Sequence, residues 1–398
     1  MALRIETLTL TGQGRAEDGS LHPRVLPGEL VEPGEGTPRI LEPSATRVSP
    51  PCRHFRTCGG CAMQHASDPF VADWKRGIVE KALAAQGIEA EVTGPETSPP
   101  RSRRRARFSG RRTKGGALVG FHMRASDQIT AIPDCQLVTE RLRATLPALE
   151  ALTVLAASRK SEVALTVTDS LAGPEVLVEG GRPLDRDLRM ELPALAAAHE
   201  LSRIAWGDEV VAELSAPAQA MGRARVSPPP GAFLQATAEG EAALRAEVEA
   251  ATQGARRIVD LFAGCGTFTL PLAERAEVHA VEGDAAMLRA LDAGWRGPPG
   301  LHRVTTEARD LFRRPLLPDE LARFDAAVID PPRAGAEAQI AEIAASTLST
   351  VALVSCNPVT FARDAARLTA AGFTLGPVRV VDQFRWSSHV ELATRATR

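Results

Sequence analysis

The alternation of apolar and polar positions divides the chain into stretches of different character. Residues 1–49 run as short apolar segments broken by Gly and Pro, as in "RIETLTLTGQGRAEDGSLHPRVLPGELVE", a pattern that predicts a small β-domain. Residues 68–86 carry a helical apolar period, with Asp68 or Asp73 near the start and Gly87 past the end, so a helix is expected there. From about 100 to 226, segments such as "EVALTVTD" and "PEVLVEG" read as strands, which makes the central region mostly β. "SPPPG" at 227–231 marks a linker. Beyond it lie the apolar runs "RRIVDLF", "EVHAVEG", "FDAAVID" and "TVALVSC", each followed by a loop and mostly by an amphipathic helix. Strands alternating with helices imply an α/β, doubly wound parallel sheet, whose ligands bind at the carboxyl ends of its strands. The expected division is 1–49, 50–228 and 229–398, with the helix at 68–86 a candidate to cross over and pack on the last part.

Composition narrows this little. With 398 residues, 44% hydrophobic and 24% charged, the chain can fill two to three cores. Apolar stretches such as 147–157 are too short to cross a bilayer, and the start lacks a basic-then-apolar leader pattern. The expectation is a cytoplasmic monomer with no membrane partner. A net charge of -2 is uninformative, but between Arg101 and Arg124 there are nine Lys/Arg residues and no acid. Such a run is either a solvated surface or a patch that attracts a polyanion.

The cysteines fall into groups. Cys52, Cys58 and Cys61 lie within "CRHFRTCGGCAMQH", and Cys135 follows in "IPDCQL". Clustered thiols in a reducing compartment point to metal rather than disulfides. Four thiolates suit zinc or a cubane iron-sulfur cluster, and spacing does not choose between them.

The remaining chemistry sits at strand ends. "RRIVDLF" ends at Phe262 and turns through Ala263, Gly264, Cys265, Gly266 and Thr267, a glycine turn that lets backbone approach a ligand. Thr269 stands where a dinucleotide fingerprint needs a third Gly, and Glu282 ends the next strand, where a carboxylate can bond both ribose hydroxyls. These features suit an adenosyl ligand without a pyrophosphate, namely S-adenosylmethionine. Asp310 is a candidate for its adenine end. Asp330 is held at the sheet edge by Pro331 and Pro332. Cys356 lies between an apolar strand and a helix that Pro358 opens, a position expected to lower its pKa and favour a nucleophilic thiolate. His389 and Glu391 share a face if they lie on a strand, and Glu391 is then a candidate general base.

Taken together, "CRHFRTCGGC", "PDCQL", "FLQAT", "DLFAGCGTFTLPLA", "VEGD", "DPPRAG", "SCNP" and "SSHVE" resemble the RNA uracil-5-methyltransferases of transfer and 23S ribosomal RNA. The resemblance implies Cys356 as nucleophile, Glu391 as base, and Gln235, Phe262, Glu282 and Asp330 as contacts to S-adenosylmethionine. Gly264, Thr267 and Asp310 complete the expected cofactor site. It further implies a 4Fe-4S cluster on Cys52, Cys58, Cys61 and Cys135, as in the ribosomal branch, and a TRAM-like, RNA-binding first domain. On this footing the basic run becomes a phosphate-binding surface and RNA, ribosomal before transfer, the partner. Where the family has Phe-Pro before the last motif, this chain has Phe384-Arg385-Trp386. A cytosine-5 or exocyclic-amine methyltransferase is disfavoured by Arg333 after the two prolines, and a non-catalytic iron-sulfur RNA-binding protein would bind no methyl donor.

Overall fold

A computed structural model describes residues 1–398, which build three main sheets. The first, of five strands, has Leu3–Leu8 at its centre, paired antiparallel with Gly14–Ala16 and Leu30–Glu32 around a core of Leu3, Ile5, Ala16, Val25 and Val31. The second, of seven strands, is built on Arg105–Arg112, which lies between Glu162–Thr168 and Ala117–His122. Its period-two burial puts Ala106, Phe108 and Gly110 inside and Arg107 outside.

The third sheet, of nine strands, carries the strand-end motifs. Its order runs Val304–Ala308, Glu277–Glu282, Arg257–Leu261, Ala326–Ile329, Thr350–Ser355, Glu391–Thr397, Val378–Asp382, Val92–Thr97, with the short Thr374–Leu375 paired to Glu391–Thr397 off this path. The first five strands are parallel, and Glu391–Thr397 is antiparallel to both its neighbours. Strand order reverses between Arg257–Leu261 and Ala326–Ile329, so a crevice opens beyond their carboxyl ends. Strand Val304–Ala308 was not anticipated. After the buried Val304, its "VTTEA" alternates half-buried and exposed positions because it is the sheet's edge, and it lacks the continuous apolar run of its neighbours.

Helix Asp68–Ala84 and strand Val92–Thr97 leave the central region and join this third sheet, the strand pairing in parallel with Val378–Asp382. The helix buries Val71, Ile78, Val79 and Leu83, and Lys75 lies on the same stripe with its side chain fully enclosed. Lys75 Nζ donates to Asp382 Oδ1 at 2.6 Å and to the Phe384 carbonyl at 3.1 Å. Burial pulls the ammonium's pKa down, and Asp382 opposes that pull.

The basic run does not form the open patch expected of it. Arg104 pairs with Glu241 and donates to the Gln235 carbonyl at 3.0 Å, while Arg105 donates to the Gly231 carbonyl at 2.9 Å. Arg107 pairs with Glu179, and Arg111 with Glu162. These partners come from distant parts of the chain, so tertiary structure offsets part of the local excess of charge. Arg112 and Lys114 remain on the exposed turn.

Removing one partner of a buried ion pair leaves the other charge unpaired, at a cost of about 3–5 kcal/mol. Lys75→Met is therefore expected to lower the unfolding free energy by about that amount in urea titration. A loss within experimental error would mean the pair carries little of the fold.

Candidate active site

The turn after Arg257–Leu261 is built from left-handed backbone: Phe262 has φ +63°, Gly264 +56° and Gly266 +97°. Gly266 is required by space as well, since a Cβ there would lie 2.9 Å from the Leu291 side chain, whereas a Cβ on Gly264 would face open space. The half-buried Glu282 carboxylate accepts the N–H groups of Gly264 and Asp284, both at 3.0 Å, which fixes it beside the turn. Thr267 stays half-buried on the turn. Phe262 meets Phe312 with ring centroids 5.3 Å apart, and Phe312 is half exposed despite its size. Asp310 accepts the Phe312 N–H at 3.0 Å and keeps its side chain at the surface. Phe312 was missed in the sequence, although an aromatic two residues from Asp310 was the available signal.

Thr269 bonds through its hydroxyl to Asp260 Oδ2 at 2.5 Å. The other oxygen of this fully buried carboxyl has no partner, and burial pushes its pKa up to about 7. Asp330, at the end of Ala326–Ile329, is also pushed up to about 7 by burial and by Asp260. Gln235 Nε2 lies 3.5 Å from Asp330 Oδ2.

Cys356 and Glu391 meet through sheet register. Ser355 pairs with Leu392, so the next residue of one strand and the preceding residue of the other fall side by side. Helix Pro358–Ala370 does begin just beyond Cys356, but its N-terminus is capped by Asn357, whose side chain accepts the Val359 N–H at 3.1 Å. The thiol's pKa is pushed up to about 11, not lowered as the sequence suggested, by burial and by the nearby Glu391 and Asp330 carboxyls. Arg333 works against this. Desolvation and like charge thus outweigh the helix terminus. Glu391 is 3% exposed, and burial with Asp330 pushes it up to about 8. The expectation that it shares a strand face with His389 fails, because the strand begins at Glu391 and His389 is exposed, its Nδ1 3.5 Å from Arg333.

Away from this crevice, Cys52, Cys58, Cys61 and Cys135 line one cavity together with Phe55, Phe121, Ile132 and Leu137. Burial pushes the thiols of Cys58, Cys61 and Cys135 up, Cys61 to about 12. The N–H groups of Gly60 and Leu137 point at Cys58 Sγ and Cys135 Sγ at 3.3 and 3.4 Å. The sulfurs line a shared void and do not close into a group that could hold a metal ion. Trp386, between Gln383 and Glu391 in the chain, has φ +61° and packs in the same core as Cys58, Cys61 and Cys135. The Trp386 carbonyl accepts the N–H groups of Ala62 and Met63 at 2.7 and 3.0 Å.

Residues 301–396 match the model of the tRNA (uracil-5-)-methyltransferase family. An RNA methyltransferase of Brucella suis biovar 1 is 42% identical over 100% of this chain and 97% of its own length. The 23S rRNA (uracil(1939)-C(5))-methyltransferase of Chromohalobacter salexigens is 33% identical over 100% of this chain and 89% of its own. In fold, the tRNA (uracil-54, C5)-methyltransferase of Pyrococcus abyssi, solved with S-adenosyl-L-homocysteine, superposes with TM-score 0.78 over 100% of this chain and 99% of that one, at 19% identity. Matched along its whole length by relatives of this kind, and with the fold they imply, the chain belongs to the RNA uracil-5-methyltransferase family, whose enzymes take their methyl group from S-adenosylmethionine.

Proposed function

We propose that this chain methylates carbon 5 of a uridine in 23S ribosomal RNA through a covalent bond between Cys356 and carbon 6 of the base. The observation that carries the reading is the register that sets Cys356 beside Glu391 at the carboxyl edge of the sheet. The residues fit the methyl donor: open space beside Gly264, a fastened Glu282, the Phe262 and Phe312 rings, and an excess of carboxyls that suits a cationic ligand. When bound, S-adenosylmethionine supplies an electrophilic methyl on a positively charged sulfur.

The chain's own groups do the rest. Carbon 5 of uracil is a poor nucleophile until a thiolate adds to carbon 6 and turns the ring into an enolate. The Cys356 proton must leave as that bond forms, and Asp330 is the carboxylate beside it that can take it while Glu391 stays ionised for the later step. After methylation, Glu391 takes the proton from carbon 5, the carbon 5–carbon 6 double bond re-forms, and the Cys356 sulfur departs with its electron pair. Burial serves this step, because a carboxyl raised to about 8 is a stronger base than an exposed one. A stacked base cannot reach Cys356, so the uridine is flipped or presented in a loop.

The ribosomal target is supported by the relative from Chromohalobacter and by the cysteine quartet. For the quartet we read a 4Fe-4S cluster on Cys52, Cys58, Cys61 and Cys135. Three buried thiols and the half-buried Cys52 line a shared void, with backbone N–H groups aimed at two of the sulfurs, a donor set that a cubane cluster accepts.

Incubated with S-adenosylmethionine and purified 23S or transfer RNA, Glu391→Gln is expected to accumulate a protein–RNA adduct on denaturing gels with the ribosomal RNA. Cys356→Ala should give neither adduct nor 5-methyluridine. Adduct with transfer RNA alone would reassign the substrate, and normal turnover by either variant would remove these roles. Protein purified without oxygen should contain about four irons per chain and absorb in the visible, and Cys61→Ser should lose both. Zinc in stoichiometric amount with no iron would overturn the cluster.

A further inference from the structure

Gln383 is a buried, uncharged side chain at the centre of the site, 1% exposed, directly after strand Val378–Asp382. Its Oε1 accepts the N–H of Ala236 at 2.7 Å and that of Thr237 at 3.4 Å. Two backbone donors on one oxygen settle which way round the amide sits, so both Nε2 hydrogens face the opposite side. There Nε2 donates to Gln235 Oε1, and the pairing of Val381 with Glu391 on the next strand places the Glu391 carboxyl diagonally across from the amide. Gln235 is oriented in turn. With its oxygen occupied, its Nε2 faces Asp330.

The backbone carrying Gln383 is held on both sides. Asp382 Oδ1 reaches across it to accept the Phe384 N–H at 3.1 Å. Lys75 Nζ grips that same oxygen and the Phe384 carbonyl, at 2.6 and 3.1 Å. Helix Ala238–Ala251 comes close only because residue 240 is Gly, where a Cβ would lie 2.6 Å from the Gln383 Cβ.

We propose that Gln383 is a positioning residue for methyl transfer, its amide N–H groups holding Gln235 as a donor in the pocket and facing Glu391 as the base. This rests on the reading of Glu391 given above. A donor amide facing a carboxylate favours the ionised form, so Gln383 keeps Glu391 more acidic than burial alone would leave it. Asp330, Cys356 and Arg333 face the same carboxyl and are unchanged when Gln383 is replaced.

The test is the rate at which adduct resolves to 5-methyluridine in single-turnover reactions with 23S ribosomal RNA, followed across pH. In the unsubstituted protein the rate should rise as Glu391 ionises. In Gln383→Met, which keeps the volume and loses the donor, the midpoint should move up by about one pH unit. Gln383→Glu retains an acceptor for the Ala236 N–H and should shift it in the same direction, which decides the matter if the Met variant does not fold. A merely structural role would lower the rate at every pH without moving the midpoint. An unmoved or lowered midpoint in a folded variant overturns the proposal. Failure of the unsubstituted protein to form any adduct would instead strike the covalent reading, and this inference with it.

Discussion

The antiparallel pairing of Glu391–Thr397 with Thr350–Ser355 sets a thiol and a carboxyl from separate strand ends side by side, and the site's geometry follows from it. Side chains alternate along a strand, so a slip of one residue would turn Glu391 to the other face and expose its apolar neighbours to the wrong side. The register is protected by burial, since Leu392, Ala393 and Ala396 are all core residues. It is protected again by the neighbouring strand, Val378–Asp382, whose end Lys75 fastens to the crossover helix.

That arrangement concentrates acid. Asp260, Asp330 and Glu391 are all raised toward neutrality, Cys356 is raised further, and Arg333 is the cation that opposes two of these shifts. Such a pocket favours a cationic ligand and keeps the thiol protonated at rest, so reactivity at sulfur is conditional on what enters. The cysteine cavity lies outside this electrostatic group. Its connection is mechanical, through the Trp386 carbonyl on Ala62 and Met63, in the loop between Gln383 and Glu391.

Much of this was legible in the sequence because parallel strands put function at their carboxyl ends, where "AGCG", "VEGD", "DPP" and "SCNP" stand out after apolar runs. What stayed hidden depended on partners far along the chain. Lys75 sits on a helix where a lysine reads as solvent-facing, and only Asp382 explains its burial. Gln383 carries no charge and belongs to no spacing, so its role rests wholly on Ala236, Gln235 and Glu391. Arg104 and Arg111 read as a phosphate surface until Glu241 and Glu162 arrive from elsewhere. Cys356 was placed correctly at a helix start, but the local rule for its pKa ignored two carboxyls brought in by the sheet.

The division of labour between Cys356 and Glu391 is tested most directly with RNA carrying tritium on carbon 5 of its uridines. The unsubstituted protein should release one tritium to water for each methyl transferred, and Cys356→Ala should release none. Tritium release that persists without Cys356, or that proceeds at full rate in Glu391→Gln, would contradict the account.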